Sequence, residues 1–151
     1  MSIAVGDKAP AFSLKDQNGI ERCLNNIGEK ALVLFFYPKD DTPGCTIEAC
    51  SFRDQYATLQ QLGAEVWGVS GDSATSHRRF AERHQLPYPL LVDEQNKLRQ
   101  QFGVPNSLIL LPGRVTYVID KNKIVKLVFN AMLDANAHVA KAKITLEMLN
   151  S

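Results

Sequence analysis

Long apolar runs are missing from this sequence. The longest, Ala31 to Tyr37, has seven residues, about a third of a membrane span. A basic excess is missing as well: Lys and Arg total 17 against 16 Asp and Glu, a formal net charge of +1. That balance offers no clustered footprint for nucleic acid or an anionic membrane. The opening residues Met1 to Asp7 lack a charged start followed by an apolar stretch, which predicts no signal peptide and a cytoplasmic location. Cysteine is scarce and odd in number, with only Cys23, Cys45 and Cys50, too few for a disulfide scaffold. In a reducing compartment a cysteine pair reads as catalytic, redox-active or metal-binding before it reads as structural. Phosphate loops are absent, since Gly63, Gly68 and Gly71 fit neither nucleotide-binding pattern and no Gly-Lys-Ser/Thr follows them. The histidines His77, His84 and His138 are scattered, so Cys45 and Cys50 lack the two further ligands a metal would need. No metal and no cofactor are expected. His77 and His84, seven apart on one helix face, read as solvated surface.

What remains is an ordinary globular chain of 151 residues, 45% hydrophobic and 22% charged. It is read as a single domain, 1–151, long enough to remove roughly two-thirds of its unfolded surface from water. Phe12 to Leu14 and Ile20 to Leu24 flank Asp16-Gln17-Asn18-Gly19, a hairpin signal. Ala31 to Tyr37 predicts a strand buried on both faces and ended by Pro38. A helix is expected from about Pro43 to Leu62, with Ile47, Cys50, Tyr56, Leu59 and Leu62 as its apolar positions. Glu65 to Ser70 reads as a strand, and Asp72-Ser73 as the cap of a helix to about His84. Pro89 to Val92 is a short strand, and Asn96 to Phe102 a short helix closed by Gly103. Val115 to Ile119 and Ile124 to Phe129 alternate as strands, and Asp134 starts a last helix to about Leu149. This order is α/β with a mixed sheet. A thioredoxin-like sandwich and a small doubly wound sheet both satisfy it.

The chemistry concentrates between Tyr37 and Cys50. Pro43 suits a first helical position, which sets Cys45 in the first turn. There, free backbone N–H groups and the positive end of the helix dipole favour a thiolate, the form that attacks electrophiles. Thr42 can cap the helix at the N–H of Cys45 or turn its hydroxyl toward the sulfur. In an intact helix, five residues correspond to about 7.5 Å of rise and roughly 140° of rotation, setting the Cα atoms of Cys45 and Cys50 about 8.6 Å apart. A disulfide wants less than about 7 Å. The two thiols therefore never bond, or the helix start unwinds when they do. Cys23, without such a setting, reads as a small buried residue. Lys39 and Arg53 are nearby cations, and Glu48 opposes a thiolate unless a cation engages it.

Pro38-x-x-x-Thr42-x-x-Cys45 resembles the peroxiredoxin active-site pattern. The longer block from Tyr37 to Asp54 is similar to the peroxiredoxin Q, or bacterioferritin comigratory protein, branch. Further blocks in the same order carry the likeness along the chain: Gly6 to Phe12, Gly68-Val69-Ser70, Leu91 to Glu94, and Leu111 to Asp120. The resemblance implies a thioredoxin-like fold with an N-terminal hairpin and a thiol peroxidase acting on hydrogen peroxide and organic hydroperoxides. It implies that Cys45 attacks the peroxide and becomes a sulfenic acid, and that Thr42 and Arg114 hold the peroxide oxygens and the thiolate. Pro38 would shield the pocket, and Cys50 would resolve the sulfenic acid as an intramolecular disulfide. Thioredoxin or a similar dithiol protein would be the reductant, and the protein a monomer without membrane or nucleic-acid partners. The residues alone leave two rivals open: a protein dithiol–disulfide oxidoreductase, and a non-enzymatic peroxide sensor or holdase. Glu48 is expected to orient an arginine. Leu108 to Leu111 is expected to form core or pocket wall, with docking of reductant or a lipid-like hydroperoxide as the sharper alternative. The account requires the Cys45 sulfur to be both ionised and reachable.

Overall fold

The computed structural model describes residues 2–105 and 113–151; the apolar segment Leu108 to Leu111 lies outside them. A short hairpin opens the chain, β1 (Ser13–Lys15) with β2 (Glu21–Cys23). Its turn is shaped by Asp16, whose carboxylate accepts the N–H groups of Asn18 and Ile20, and by Gly19 at φ +76. The hairpin is tied to the rest through Gln17, whose side-chain oxygen accepts the N–H of Leu90.

The main sheet holds β3 (Ala31–Phe36), β4 (Ala64–Ser70), β5 (Leu90–Val92), β6 (Val115–Ile119) and β7 (Val125–Asn130), in the spatial order β5-β4-β3-β6-β7. β3 runs parallel to β4, and β4 to β5, while β6 runs antiparallel to both β3 and β7. Parallel neighbours demand crossovers, which α1 (Pro43–Gln61) and α2 (Ala74–His84) supply. α3 (Lys97–Phe102) follows β5, and α4 (Ala135–Leu149) closes the fold. The result is a thioredoxin-like sandwich with an N-terminal hairpin.

β3 explains its own unbroken apolar run. Val33 and Phe35 face the core shared with Phe52 of α1, Phe80 of α2 and Val139 of α4. Leu32, Leu34 and Phe36 face the core shared with Leu98 and Phe102 of α3 and with Phe12 before the hairpin. Both sides of the strand are buried, so both sets of alternating positions are hydrocarbon. Ser73 caps α2 and Asp134 caps α4 by accepting N–H groups three residues on. Asp72 does not cap; its carboxylate accepts from the Asp40 N–H and the Ser70 hydroxyl.

The buried stripe of α1 differs from the expected one. It runs through Cys45, Glu48, Ala49, Phe52 and Leu59, while Ile47 is about half exposed and Cys50 lies part-way out. Hydrophobicity misplaced the face because its front is buried on a charged partner, so a glutamate sits where an apolar residue was looked for.

Candidate active site

β3 ends at Phe36, and the next residues turn through Asp41, at φ +62, into α1. Pro43 takes an opening position of that helix and Thr42 precedes it, so Cys45 falls in the first turn. The antiparallel register pairs Phe36 with Val115, which brings Arg114 to the same end of the sheet although it lies 69 residues from Cys45. Each of its three nitrogens is engaged there. Nη2 donates to the Cys45 sulfur at 3.4 Å, Nη1 to Glu48 Oε1 at 2.6 Å, and Nε to the Met132 carbonyl at 3.1 Å. Gly44 leaves room for this approach, because a Cβ there would stand 2.9 Å from Nη2. Arg114 is buried, with burial pulling its pKa down; the charges of Glu48 and Cys45 outweigh that and leave it raised.

Glu48 does orient an arginine, but it is also fully buried. Burial pushes its carboxyl up to about 8, against the opposing pull of Arg114. Among the described residues the second oxygen, Oε2, has no hydrogen-bond partner; His138 Nδ1 lies 3.5 Å from it. That imidazole is turned elsewhere. Nε2 donates to the Ala131 carbonyl and Nδ1 meets the Thr116 hydroxyl, both at 2.7 Å. Burial lowers the His138 pKa, which disfavours an ion pair with Glu48.

Thr42 takes neither expected role as drawn. Its hydroxyl donates to the Lys39 carbonyl at 2.9 Å and makes no cap bond. With its single hydrogen spent, that oxygen presents lone pairs toward any incoming O–H. Pro38, Thr42, Gly44, Ile47, Arg114, Met132 and Leu133 line an open groove of about 370 Å³. Cys45 itself is 1% exposed, so the expectation of a freely reachable sulfur is corrected: the groove stops at its neighbours, and a peroxide must pass between them. Cys50 is half-buried, and α1 is continuous through both cysteines, whose thiols are free. Cys23 is likewise half-buried rather than a core residue, its thiol meeting the Ser13 hydroxyl at 3.2 Å. Arg53 turns to Asp54 and to the His84 carbonyl, and Lys39 is exposed.

Two groups at this end had no local signal in the sequence. His77 is fully buried, not solvated: Nε2 bonds the Leu91 carbonyl at 2.9 Å and Nδ1 meets Asp40 Oδ2 at 2.7 Å. Asp40 also accepts the Tyr37 hydroxyl at 2.6 Å and the Ser76 hydroxyl at 2.8 Å, which fastens the Pro38–Thr42 loop to α2. Candidate ligand atoms of Asp40, Asp72 and His77 lie within 4.8 Å of one another, yet each residue already bonds protein groups there. The second group is Arg99, buried in α3 and bonded to the carbonyls of Tyr37 and Gly113.

The AhpC/TSA family matches residues 5–128. Peroxiredoxin Q, chloroplastic, of Sedum lineare is 47% identical over 150 residues, covering 99% of this chain and 79% of that protein. The crystal structure of peroxidoxin BcpB from Mycobacterium tuberculosis superposes with a TM-score of 0.90 at 40% identity, covering 97% of this chain and 98% of that one. Bacterioferritin comigratory protein of Xanthomonas campestris, described for its alkyl peroxide reduction activity, superposes at 0.80 with 28% identity, over 89% of this chain and 92% of that one.

Proposed function

The chain belongs to the AhpC/TSA family, in its peroxiredoxin Q branch, and from that premise we propose that Cys45 is the sulfur that attacks the peroxide. The protein is a thiol peroxidase, and a thioredoxin-type dithiol reduces its oxidised form. In the first step the Cys45 thiolate attacks the terminal oxygen of ROOH. The O–O bond breaks, Cys45 becomes a sulfenic acid, and RO⁻ takes a proton to leave as ROH. Arg114 faces the sulfur with a positive charge, and that charge meets the electron density moving onto the departing oxygen. Thr42 accepts the peroxide O–H through the lone pairs its bond to Lys39 leaves free, and Pro38 walls the groove. In the second step the Cys50 thiol displaces hydroxide from the sulfenic acid, giving a disulfide and water. The dithiol reductant then takes over the disulfide and returns both thiols.

The contact between Arg114 Nη2 and the Cys45 sulfur, in the first turn of α1, carries this reading. We place the protein in the cytoplasm as a monomer of one domain. Stopped-flow oxidation followed by recycling with thioredoxin is the test. Cys45→Ser should be inert toward peroxide, and Cys50→Ser should complete one turnover and stop. Full peroxide consumption by Cys45→Ser would overturn the assignment. Rapid insulin reduction without peroxide consumption would favour the oxidoreductase reading, and rapid oxidation without recycling would favour the sensor.

A further inference from the structure

Two backbone segments must stay in register for Arg114 to reach Cys45. One is the end of β3, which runs through Tyr37 into the loop before α1. The other is the entry to β6, where Gly113 precedes Arg114. Arg99 joins them. Nη2 donates to the Tyr37 carbonyl at 2.9 Å, across 62 residues, and Nη1 donates to the Gly113 carbonyl at 2.7 Å. A planar fork meets the two carbonyls with two separate nitrogens, whereas an ammonium would have to serve both from one point.

The fork is itself held in place. Asp93, 1% exposed, accepts the backbone N–H groups of Leu98 and Arg99 through its two carboxylate oxygens and so fixes the start of α3. The guanidinium carbon lies 5.7 Å from the centre of the Phe36 ring. On the far side, Gly113 packs against Pro105, whose carbonyl oxygen would overlap any Cβ placed there, so only glycine fits at this point. Arg99 is 4% exposed, and among the described residues its Nε–H has no hydrogen-bond partner. A buried guanidinium is costly to keep. Burial pulls the Arg99 pKa down, against the charges of Asp93, Tyr117 and Cys45.

We propose that Arg99 is a positioning residue for the peroxide reaction, its fork holding the Tyr37 and Gly113 segments so that Arg114 stays on the Cys45 sulfur. The proposal rests on Cys45 being the attacking sulfur. The charged and titratable groups at this end are then Arg114 at the entry to β6, Glu48 on α1 and Arg99 on α3, with Asp93 before α3 and Tyr117 on β6 acting on Arg99. Removing Arg99 lets Arg114 drift from the sulfur, and the thiolate loses its cation.

The test uses the full chain with Cys23→Ser and Cys50→Ser, which leaves Cys45 as its one thiol. Ultraviolet thiolate absorbance and the stopped-flow rate of peroxide oxidation are followed against pH, with circular dichroism as the fold control. Arg99→Met should show less thiolate at neutral pH, a pH profile moved toward alkali, and a rate lower by roughly tenfold. Arg99→Lys, whose ammonium would have to serve both carbonyls from one point, should fall between Arg99→Met and the parent in thiolate absorbance and remain slower than the parent by roughly threefold. A merely structural arginine would lower stability in both variants and leave the pH profile in place, which would overturn the proposal. Should Arg99→Met not fold, Arg99→Lys decides alone: slower oxidation with reduced thiolate absorbance supports the clamp, and a parental rate overturns it. Cys45→Ser, run in the otherwise unaltered chain, separates the two layers. If it still consumes peroxide, the assignment of the sulfur falls and takes Arg99 with it. If it is inert while both Arg99 variants match the parent, only the role of Arg99 falls.

Discussion

From Pro43 to Glu48, α1 is held by one guanidinium shared between a sulfur and a carboxylate. From Ala49 to Gln61 it is held by hydrocarbon: Phe52 stacks on Phe35 with ring centres 4.5 Å apart, Leu59 lies in the core, and the Tyr88 hydroxyl grips the Ala49 carbonyl at 2.7 Å. These two kinds of support differ in what they contribute. Buried ionic contacts lose much of their attraction to desolvation, whereas apolar burial gives a net gain with every methylene. One helix thus has a front that can let go and a rear that cannot. A disulfide between residues five apart needs such an asymmetry, because the front must unwind while the rear keeps Cys50 in place.

The contrast can be broken from either side. Phe52→Ala should cost about 3–5 kcal/mol in denaturant unfolding and leave the first peroxide turnover of the folded protein within roughly threefold of the parent. Arg114→Met should do the reverse. Its first turnover should slow by roughly a hundredfold, with a smaller loss of stability than Phe52→Ala shows, since the Glu48 carboxyl left behind can keep its proton. A stability loss matching that of Phe52→Ala would mean that the front is as firmly held as the rear.

Gly44→Ala sharpens the comparison at one atom. The added Cβ, 2.9 Å from Arg114 Nη2, should push the guanidinium off the sulfur and slow oxidation by roughly threefold to tenfold. Alanine is the better helix former by about 1 kcal/mol, so the unfolding midpoint should hold or rise. The smallest effect is a pH slope. Glu48 is held at about 8 in the fold against an ordinary value of 4.5, so the native state binds more protons than the unfolded chain between those limits. Its contribution to stability is complete below about 4.5 and is lost as pH rises toward about 8. Urea midpoints across that range should fall more steeply in the parent than in Glu48→Gln.

What could be read from the sequence was local. Pro43 announced the start of α1, Ser73 and Asp134 their caps, and the run from Ala31 a strand with two buried faces, because each signal acts within a few residues. The likeness around Cys45 named Pro38, Thr42 and Arg114, which the fold brings to one groove beside the buried Cys45. Long-range partners left no such trace. Arg99 reaches Tyr37 across 62 residues, and His77 reaches Asp40 across 37. Nothing beside either residue distinguishes it from a solvated side chain until the sheet closes. Glu48 was read correctly as the partner of an arginine and not as a core residue, since burial of a carboxylate becomes plausible only once the cation is known to be buried with it.

Hydrogen exchange along α1, read by mass spectrometry before and after one equivalent of peroxide, tests the account most directly. Oxidation should yield a Cys45–Cys50 disulfide, with protection lost over residues 43–49 and retained from Phe52 to Gln61. Unchanged protection across the front of the helix, or a disulfide that engages Cys23 instead, would contradict it.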